Sequence, residues 1–381
     1  MTEDPPLHVV LAGGGSAGHI EPALALADAL LRRDERTEIT CLGTTRGGLD
    51  TKLIPARGYP LELIPAVPMP RKPTIDVFTV PSRLAGTVRR TVEVLDRAAA
   101  DVVVGFGGHV ALPAYFAARR RSVPIVVHEA NVRPGLANRI GARMTEWIAT
   151  GSPDCRLGGG RYLGMPLRQM ISSLDRRALR AEAVEFFGLN PDLKTLLVSG
   201  GSLGARRLNE AIEDVAEAFS AAGVQILHAL GRGAWREDAE FPVSGAPYVR
   251  VPYLDRMDLA YAAADAMLCR GGMMTCSELA AVGLPAVYVP LPIGNGEQRL
   301  NAQPVVRAGG GLLVQDEELT SAWLTANLLP LLADREKLDE MGKAAAEFGR
   351  RDGDEALVDL VYEAVRAGVT EKVAATVEVE A

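Results

Sequence analysis

The sequence predicts an α/β protein made of two domains, each built on a parallel sheet. Short apolar runs alternate with helical patterns along nearly the whole chain, which is typical of parallel strands joined by crossover helices. The 381 residues also exceed what a single hydrophobic core usually holds. Both halves begin with the same order of strand, glycine loop and helix. These three observations together predict two Rossmann-like halves.

The elements follow in order along each half. In the first half we predict a helix at Glu21–Arg33 and strands at Leu7–Ala12, Glu38–Leu42, Val102–Gly105 and Ile125–His128. In the second half we predict a helix at Ala205–Ala222 and strands at Thr195–Ser199, Gln225–Ala229, Ala266–Cys269, Ala286–Val289 and Leu312–Val314.

The periodicity breaks at the segment GGGRYLGMP, which sets the domain boundary. The first domain is expected to span residues 1–163 and the second residues 164–349. A C-terminal helix at about 350–367 is expected to pack back on the first domain. Residues 368–381 are expected to form a disordered tail.

The net charge of −7 argues against nucleic acid as the partner. Residues 1–165 nevertheless carry 20 basic and 16 acidic side chains, so one face of this half is expected to meet something anionic. The four cysteines show no C-x-x-C spacing and are expected to be free thiols in a reducing cytoplasm. The N-terminus lacks a signal-peptide pattern, and no apolar run is long enough to span a bilayer.

Three glycine loops follow predicted strands: GGGSAGH from Gly13, GFGGHVALP from Gly105 and GGSLGAR from Gly200. Glycine lets backbone N–H groups approach a ligand closely, and a helix N-terminus adds partial positive charge. A single loop of this kind is as often a packing turn as a binding site. Three in one chain favour a site for a diphosphate and a polar acceptor.

Two other interpretations of these loops are weaker. The first loop fits G-x-G-x-x-G, but no acidic residue ends the second strand to hold a dinucleotide ribose. The third loop spells G-x-S-x-G around Ser202, as in a hydrolase nucleophile elbow. The only later histidine is His228, inside a predicted strand, so we interpret Ser202 as a phosphate ligand instead.

Two acidic motifs each allow more than one interpretation. Glu278 lies early in a predicted helix after a strand, where a carboxylate suits either the helix dipole or a pair of ribose hydroxyls. Asp352-Gly353-Asp354 matches the letters of a metal-binding D-x-D, but it lies among C-terminal helices, where capping explains it better. We predict no catalytic metal and no cofactor.

At these residues the sequence resembles the MurG family of UDP-N-acetylglucosamine transferases, over roughly residues 7–367. The resemblance rests on the three glycine loops and on the segments HEANVRPGLAN, GMPLR, YLDRMDLAYAAADAMLCRGG and PLPIGNGEQRLNAQPVV. The residues of HEAN and IGNGEQRLNAQPVV resemble the actinobacterial branch of the family. It implies a GT-B fold whose two domains face each other across a cleft. It also implies inverting, metal-independent transfer of N-acetylglucosamine from UDP-GlcNAc to the C4 hydroxyl of the muramyl sugar of lipid I, which gives lipid II for peptidoglycan.

The resemblance also implies the site residues. The general base would be His19, although this residue could instead only cap the loop or hydrogen-bond a phosphate. His109 and Glu129 are second choices, as acceptor or diphosphate contacts. The acceptor and diphosphate loops would include Gly14, Gly15, Gly107, Gly108 and His109. UDP-GlcNAc would contact Ser16, Ala17, Gly18, Asn131, Arg168, Ser202, Leu254, Met273, Met274, Thr275, Cys276, Ser277, Glu278 and Gln298, with Glu278 on the ribose and Leu254 on the uracil.

Several ligand positions depart from the family pattern: Ser16, His109, Leu203, Met273, Met274 and Cys276. These departures leave open a relative acting on a related glycolipid, or a protein that binds UDP-GlcNAc without turnover. An epimerase or hydrolase of the same fold would need more carboxylates in the motifs than Glu129, Glu278 and Glu297.

Residues 71–90 combine basic and apolar side chains, which predicts peripheral contact with the cytoplasmic face of the membrane. MurG enzymes are similarly thought to contact the membrane through the first domain. The alternative without membrane contact is a helix that packs on the core and exposes its basic face to solvent. The predicted membrane patch comprises Arg71, Lys72, Ile75, Phe78, Val80, Arg83, Leu84, Arg89 and Arg90.

Overall fold

A computed structural model describes residues 6–67, 80–201, 204–236, 241, 243–293 and 295–380, with side chains through residue 370. The chain divides into two compact units. Unit 1 comprises residues 1–168 and 352–381, and unit 2 comprises residues 169–351. The division therefore falls at Arg168 and Arg351, where the sequence suggested 163 and 349.

The strands form two wholly parallel sheets. The sheet of unit 1 has the order β3-β2-β1-β4-β5-β6-β7, and that of unit 2 has the order β10-β9-β8-β11-β12-β13. The strands are β1 His8–Gly13, β2 Glu38–Thr44, β3 Leu61–Ile64, β4 Val102–Gly107, β5 Ile125–Glu129, β6 Ile148–Thr150, β7 Arg161–Tyr162, β8 Lys194–Ser199, β9 Val224–Ala229, β10 Tyr248–Val251, β11 Ala266–Cys269, β12 Ala286–Tyr288 and β13 Gly311–Leu313.

Helices connect these strands, as parallel pairing requires. They are α1 Ala17–Arg33, α2 Asp50–Ala56, α3 Val80–Arg97, α4 Gly108–Arg120, α5 Leu136–Gly141, α6 Gln169–Ser172, α7 Arg176–Phe186, α8 Arg206–Ala221, α9 Met257–Ala263, α10 Met273–Val282, α11 Glu297–Arg307, α12 Ser321–Trp323, α13 Leu329–Ala333, α14 Arg335–Phe348 and α15 Gly353–Glu380. A 3₁₀ turn at Asp316–Glu318 and a π-helical turn at Leu324–Leu328 complete unit 2.

The predicted α/β class with parallel sheets is confirmed. Aliphatic side chains fill the cores, because strands covered on both faces need continuous Val, Leu and Ile runs. The strands that sequence reasoning missed are β3, β6, β7 and β10, which have two to four residues each. Runs that short show no clear period in a sequence.

Helix α15 returns the chain to unit 1. Leu357, Val358 and Val361 share a buried cluster with the first strand. Arg32 of α1 donates to Asp354 at 2.5 Å and to Glu355 at 2.8 Å. The helix runs to Glu380 and so includes residues 368–380, for which we expected a disordered tail. No glycine or proline follows Gly368 to end it, which explains the continuation.

Candidate active site

The two glycine loops of unit 1 pack against each other at the carboxyl ends of β1 and β4. Gly13 and Gly107 are register partners in the sheet. Gly108 has a left-handed φ of +76°, and a β-carbon there would collide with the carbonyl oxygen of Gly14. A β-carbon on Gly15 would lie 3.4 Å from Nδ1 of His109. The predicted loop residues are therefore brought together in a single surface.

His19 lies in the first turn of α1 and faces these loops. Its Nδ1 is 2.9 Å from Oγ of Ser16. A β-carbon on Gly107 would lie 3.3 Å from its Nε2, so the ring rests against the second loop. The side chain is partly exposed, and the neighbouring Ser16 and Gly18 are exposed. An imidazole oriented by a hydroxyl and open to solvent can accept a proton from a bound substrate.

Asp50 holds the first loop in place, and sequence reasoning missed it. This buried carboxylate begins α2. It accepts hydrogen bonds from the backbone N–H of Gly15 at 3.2 Å and of Thr44 at 3.0 Å. The only sequence signal was an acid at a helix start, which usually serves the helix dipole alone.

Glu129, at the end of β5, organises the HEAN loop. Its carboxylate accepts from the backbone N–H of Asn131 and of Gly135, both at 2.9 Å, and from Nδ2 of Asn138 at 3.0 Å. Burial raises the pKa of this carboxyl, while these donors act in the opposite direction. The Tyr115 hydroxyl donates to Oδ1 of Asn138 at 2.7 Å, which fixes the amide. These contacts favour a loop-ordering role for Glu129 over the catalytic role we considered.

In unit 2 the predicted ribose ligand has a buried partner. Glu278 lies on α10 with only 6% of its surface exposed. Its Oε2 accepts a 2.7 Å hydrogen bond from the hydroxyl of Tyr261 on α9. Tyr261 is fully buried. A hydroxyl donor fixes the carboxylate rotamer, and Tyr261 was not among the predicted site residues because its motif reads as an ordinary helix.

The other predicted donor residues are distributed over both units. Gly272 is the N-cap of α10, so no side chain covers its first N–H groups. Gln298 accepts the N–H of Leu291 at 2.9 Å through Oε1, and its carbonyl lies against Gly271. On α10, Met274, Thr275 and Ser277 are partly exposed, Met273 is 8% exposed and Cys276 is buried, while Leu254 before α9 is 8% exposed. In unit 1, Ala17, Asn131 and Arg168 are partly buried. Ser202 and Leu203 lie outside the described residues.

Two family models cover most of the chain. Residues 9–150 match the glycosyltransferase family 28 N-terminal domain, and residues 195–357 match the glycosyltransferase family 28 C-terminal domain. The chain belongs to glycosyltransferase family 28.

Relatives with curated names cover nearly the full length. The chain is 63% identical over 361 residues to a Streptomyces avermitilis protein, covering 95% of this chain and 99% of the relative. It is 64% identical to a Streptomyces coelicolor protein, with the same coverage. Both carry the name UDP-N-acetylglucosamine–N-acetylmuramyl-(pentapeptide) pyrophosphoryl-undecaprenol N-acetylglucosamine transferase.

Solved structures agree with this placement. The crystal structure of MurG from Acinetobacter baumannii has a TM-score of 0.73 and 26% identity, covering 94% of this chain and 100% of that one. The resemblance to the MurG family is confirmed. A Neisseria meningitidis UDP-GlcNAc 2-epimerase bound to UDP-GlcNAc has a TM-score of 0.65 at 14% identity, with 93% and 100% covered, and shares the fold alone.

The other motifs of this family 28 glycosyltransferase have structural roles. His228 is buried, and its two ring nitrogens lie 2.8 Å from the Tyr248 hydroxyl and 3.1 Å from Oδ1 of Asn209. Asp354 of the D-x-D letters pairs with Arg32. In the part of the chain that the structure describes, no group of three His, Cys, Asp or Glu side chains could hold a metal ion.

Part of the predicted membrane patch can be located. Helix α3 buries Thr87, Val88, Thr91, Val94 and Leu95. Leu84 packs against the core, Val80 is partly buried, and Arg83, Arg89 and Arg90 are exposed. Arg71, Lys72, Ile75 and Phe78 lie outside the described residues. Within the described ranges, no helix is long and apolar enough to cross a bilayer.

Proposed function

We propose that this enzyme transfers N-acetylglucosamine from UDP-GlcNAc to the C4 hydroxyl of the muramyl sugar of lipid I and so forms lipid II for peptidoglycan. The near full-length identity to transferases named for this reaction carries the proposal. The presence of both family 28 domains supports it, since a partial match would leave either the sugar donor or the acceptor in question.

In the proposed mechanism, His19 is the general base. It takes the proton from the acceptor hydroxyl as that oxygen attacks the anomeric carbon of the sugar. The C–O bond to the diphosphate breaks as the new glycosidic bond forms on the opposite face, so the configuration inverts and UDP leaves. The contact of Ser16 with Nδ1 and the packing of Gly107 on the ring support this role, because both fix the imidazole orientation.

Unit 2 would bind the UDP leaving group. Uncapped N–H groups at the start of α10 suit a diphosphate, and they stabilise its negative charge without a cation. Glu278 would accept hydrogen bonds from the ribose hydroxyls while Tyr261 holds its rotamer. Leu254 would contact the uracil, with Gln298, Arg168, Ser202 and Asn131 completing the donor contacts by their position in the family motifs.

We further propose peripheral binding at the cytoplasmic face of the membrane, where a polyprenyl acceptor would reside. The exposed Arg83, Arg89 and Arg90 support it, as does a cavity of about 460 Å³ beside α5 whose lining includes Arg133, Arg139, Arg143 and Arg156. Basic side chains of this kind attract anionic lipid. Co-sedimentation with phosphatidylglycerol vesicles and not with phosphatidylcholine vesicles is the expected result; equal recovery with both would contradict it.

Purified full-length enzyme should transfer labelled N-acetylglucosamine to a short-chain lipid I analogue in excess EDTA. A rate in EDTA within about twofold of the rate with added Mg²⁺ is expected, because protein groups alone would stabilise the departing charge. Loss of transfer in EDTA would refute the metal-independent mechanism. Intact UDP-GlcNAc binding with no transfer under either condition would favour a binding protein without turnover.

A further inference from the structure

Unit 2 carries a second cavity that the proposed reaction does not use. It has a volume of about 1250 Å³ and lies between α7, α14 and the segments that lead into β8, β11 and β12. Lys194, the first residue of β8, and Pro285, just before β12, line it. Gly200 and Gly271 follow β8 and β11 at the carboxyl edge of the same sheet. The cavity therefore opens at the opposite edge of the sheet from the proposed UDP site.

The charge of this cavity differs from that of its surroundings. Residues 169–351 contain 18 basic and 24 acidic side chains, a net charge of −6. The lining of the cavity contains seven basic and four acidic side chains, a net charge of +3. A positive groove on an acidic unit concentrates negatively charged ligands locally.

Two arginines of the lining are held in place by uncharged groups. Arg176 donates to the carbonyl oxygens of Tyr261 and Gly283, each at 2.9 Å. Arg351 donates to the carbonyl oxygens of Ala281 at 2.8 Å and Leu174 at 2.9 Å. Carbonyls satisfy the N–H groups but carry no formal charge, so these contacts do not neutralise the two guanidinium groups. Burial lowers the pKa of Arg176 to about 10, which still leaves it charged at neutral pH.

Three of the four acids in the lining already have protein partners, and one of these is Asp339, which lies 3.8 Å from Arg335. Asp265 pairs with Arg180 at 3.1 Å and with Lys194 at 3.2 Å. Asp175 caps α7 by accepting backbone N–H groups. Arg177 is exposed, and Lys343 of α14 keeps 79% of its side chain exposed although its Nζ lies 3.9 Å from Glu347. The charges available to a ligand are therefore mainly positive.

The floor of the groove is apolar. Leu174, Val282, Pro285 and Leu338 line it and are buried. A phosphate group is smaller than this groove and gains nothing from contact with its apolar floor. A peptide in extended conformation presents alternate side chains to opposite sides, and so can place apolar groups on such a floor and acidic groups on a basic rim.

We propose that this groove is a docking site for an acidic, extended segment of a protein partner. Carboxylates of the segment contact Arg177 and Lys343 at the rim, and its apolar side chains enter the groove, whose floor includes Leu174 and Leu338. The apolar floor disfavours a dense polyanion such as a polyphosphate. The site is separate from the transfer reaction, so its occupation serves recruitment of the enzyme.

The test uses the full-length enzyme and a fluorescein-labelled eight-residue peptide of alternating glutamate and leucine. Fluorescence anisotropy at low salt should show saturable binding that weakens as salt is added. The double variant R177E/K343E should raise the Kd by about tenfold or more, since two favourable rim charges become repulsive. Its donor and acceptor kinetics should stay within twofold of the parent.

Lys337→Glu is the matched control, because it reverses an exposed charge on α14 outside the groove lining. This variant should bind the peptide within twofold of the parent. Absence of peptide binding would overturn the proposal, as would equal binding of a lysine–leucine peptide or no change in R177E/K343E. Displacement of the peptide by equimolar pyrophosphate, or by phosphatidylglycerol vesicles in a manner that depends on Arg177 and Lys343, would assign the groove to phosphate-bearing ligands instead.

Discussion

Each unit has its own parallel sheet followed by glycine loops, but the side chains around those loops differ between the units. In unit 1 the loops interlock, with Gly108 against Gly14 and His19 against Gly107. In unit 2 the corresponding region presents a buried carboxylate, Glu278, and an uncapped helix N-terminus. The only histidine of residues 169–351 is His228, which is buried. Under the proposed function, one sheet architecture would supply a proton acceptor in one unit and a donor-binding surface in the other.

The largest effect is expected from removing the proton acceptor of unit 1. His19→Ala should lower kcat by about 10²- to 10⁴-fold, the usual contribution of a general base. UDP-GlcNAc affinity should change less than threefold. Steady-state kinetics with a lipid I analogue measure the first quantity. A comparable loss of donor affinity would make His19 a binding residue and weaken the contrast between the units.

The next prediction tests whether the glycine loops of unit 1 pack more tightly than the glycine loop after β8 in unit 2. Gly108→Ala should destabilise unit 1 by about 2–4 kcal/mol, because a β-carbon both strains a left-handed residue and collides with the Gly14 carbonyl. Gly201→Ala should cost about 1–2 kcal/mol, since Gly201 has a φ of +90° but open space around its β-position. Urea unfolding of both variants measures these costs. Equal losses would mean that the unit 1 loops do not interlock.

A smaller effect concerns donor binding in unit 2. Tyr261→Phe should raise the KM for UDP-GlcNAc by about tenfold, because it removes a buried hydrogen bond to a carboxylate. Its kcat at saturating donor should stay within about threefold. Tyr288→Phe is the matched control, since it removes a fully buried hydroxyl of unit 2 that has no hydrogen-bond partner among the described residues. A similar rise in KM for both variants would indicate general loosening instead of a role for Tyr261.

A further effect is a pH dependence of stability. Each unit buries one neutral histidine, and burial lowers the pKa of His128 to about 4 and of His228 to about 3. The unfolded chain binds a proton near pH 6.5, whereas the folded chain does not until far lower pH. The free energy of unfolding should therefore fall as pH drops from about 6.5 to 4, by up to about 1.4 kcal/mol per pH unit for each histidine.

His228→Gln should reduce this slope for unit 2 and leave that of unit 1 unchanged. Unfolding followed by hydrogen exchange in each unit, at pH 7, 6 and 5, separates the two. An unchanged slope in unit 2 would show that His228 does not resist protonation as its burial implies.

Much of the fold was predictable because its signals are local. The nine predicted strands are all present, and the glycine loops lie where strand–loop–helix order places them. The short strands β7 and β10 were not predictable, since two to four residues fix no period. Asp50 and Tyr261 were missed for another reason: their partners, Gly15 and Glu278, are 35 and 17 residues away along the chain. Contacts of that kind arise only from tertiary packing.

Calorimetric titration of UDP-GlcNAc into His19→Ala and Glu278→Gln tests the division of roles between the units most directly. We expect His19→Ala to keep a Kd within threefold of the parent enzyme and Glu278→Gln to weaken it by at least tenfold. The reverse order, or equal losses in the two variants, would contradict the assignment of proton transfer to unit 1 and donor binding to unit 2.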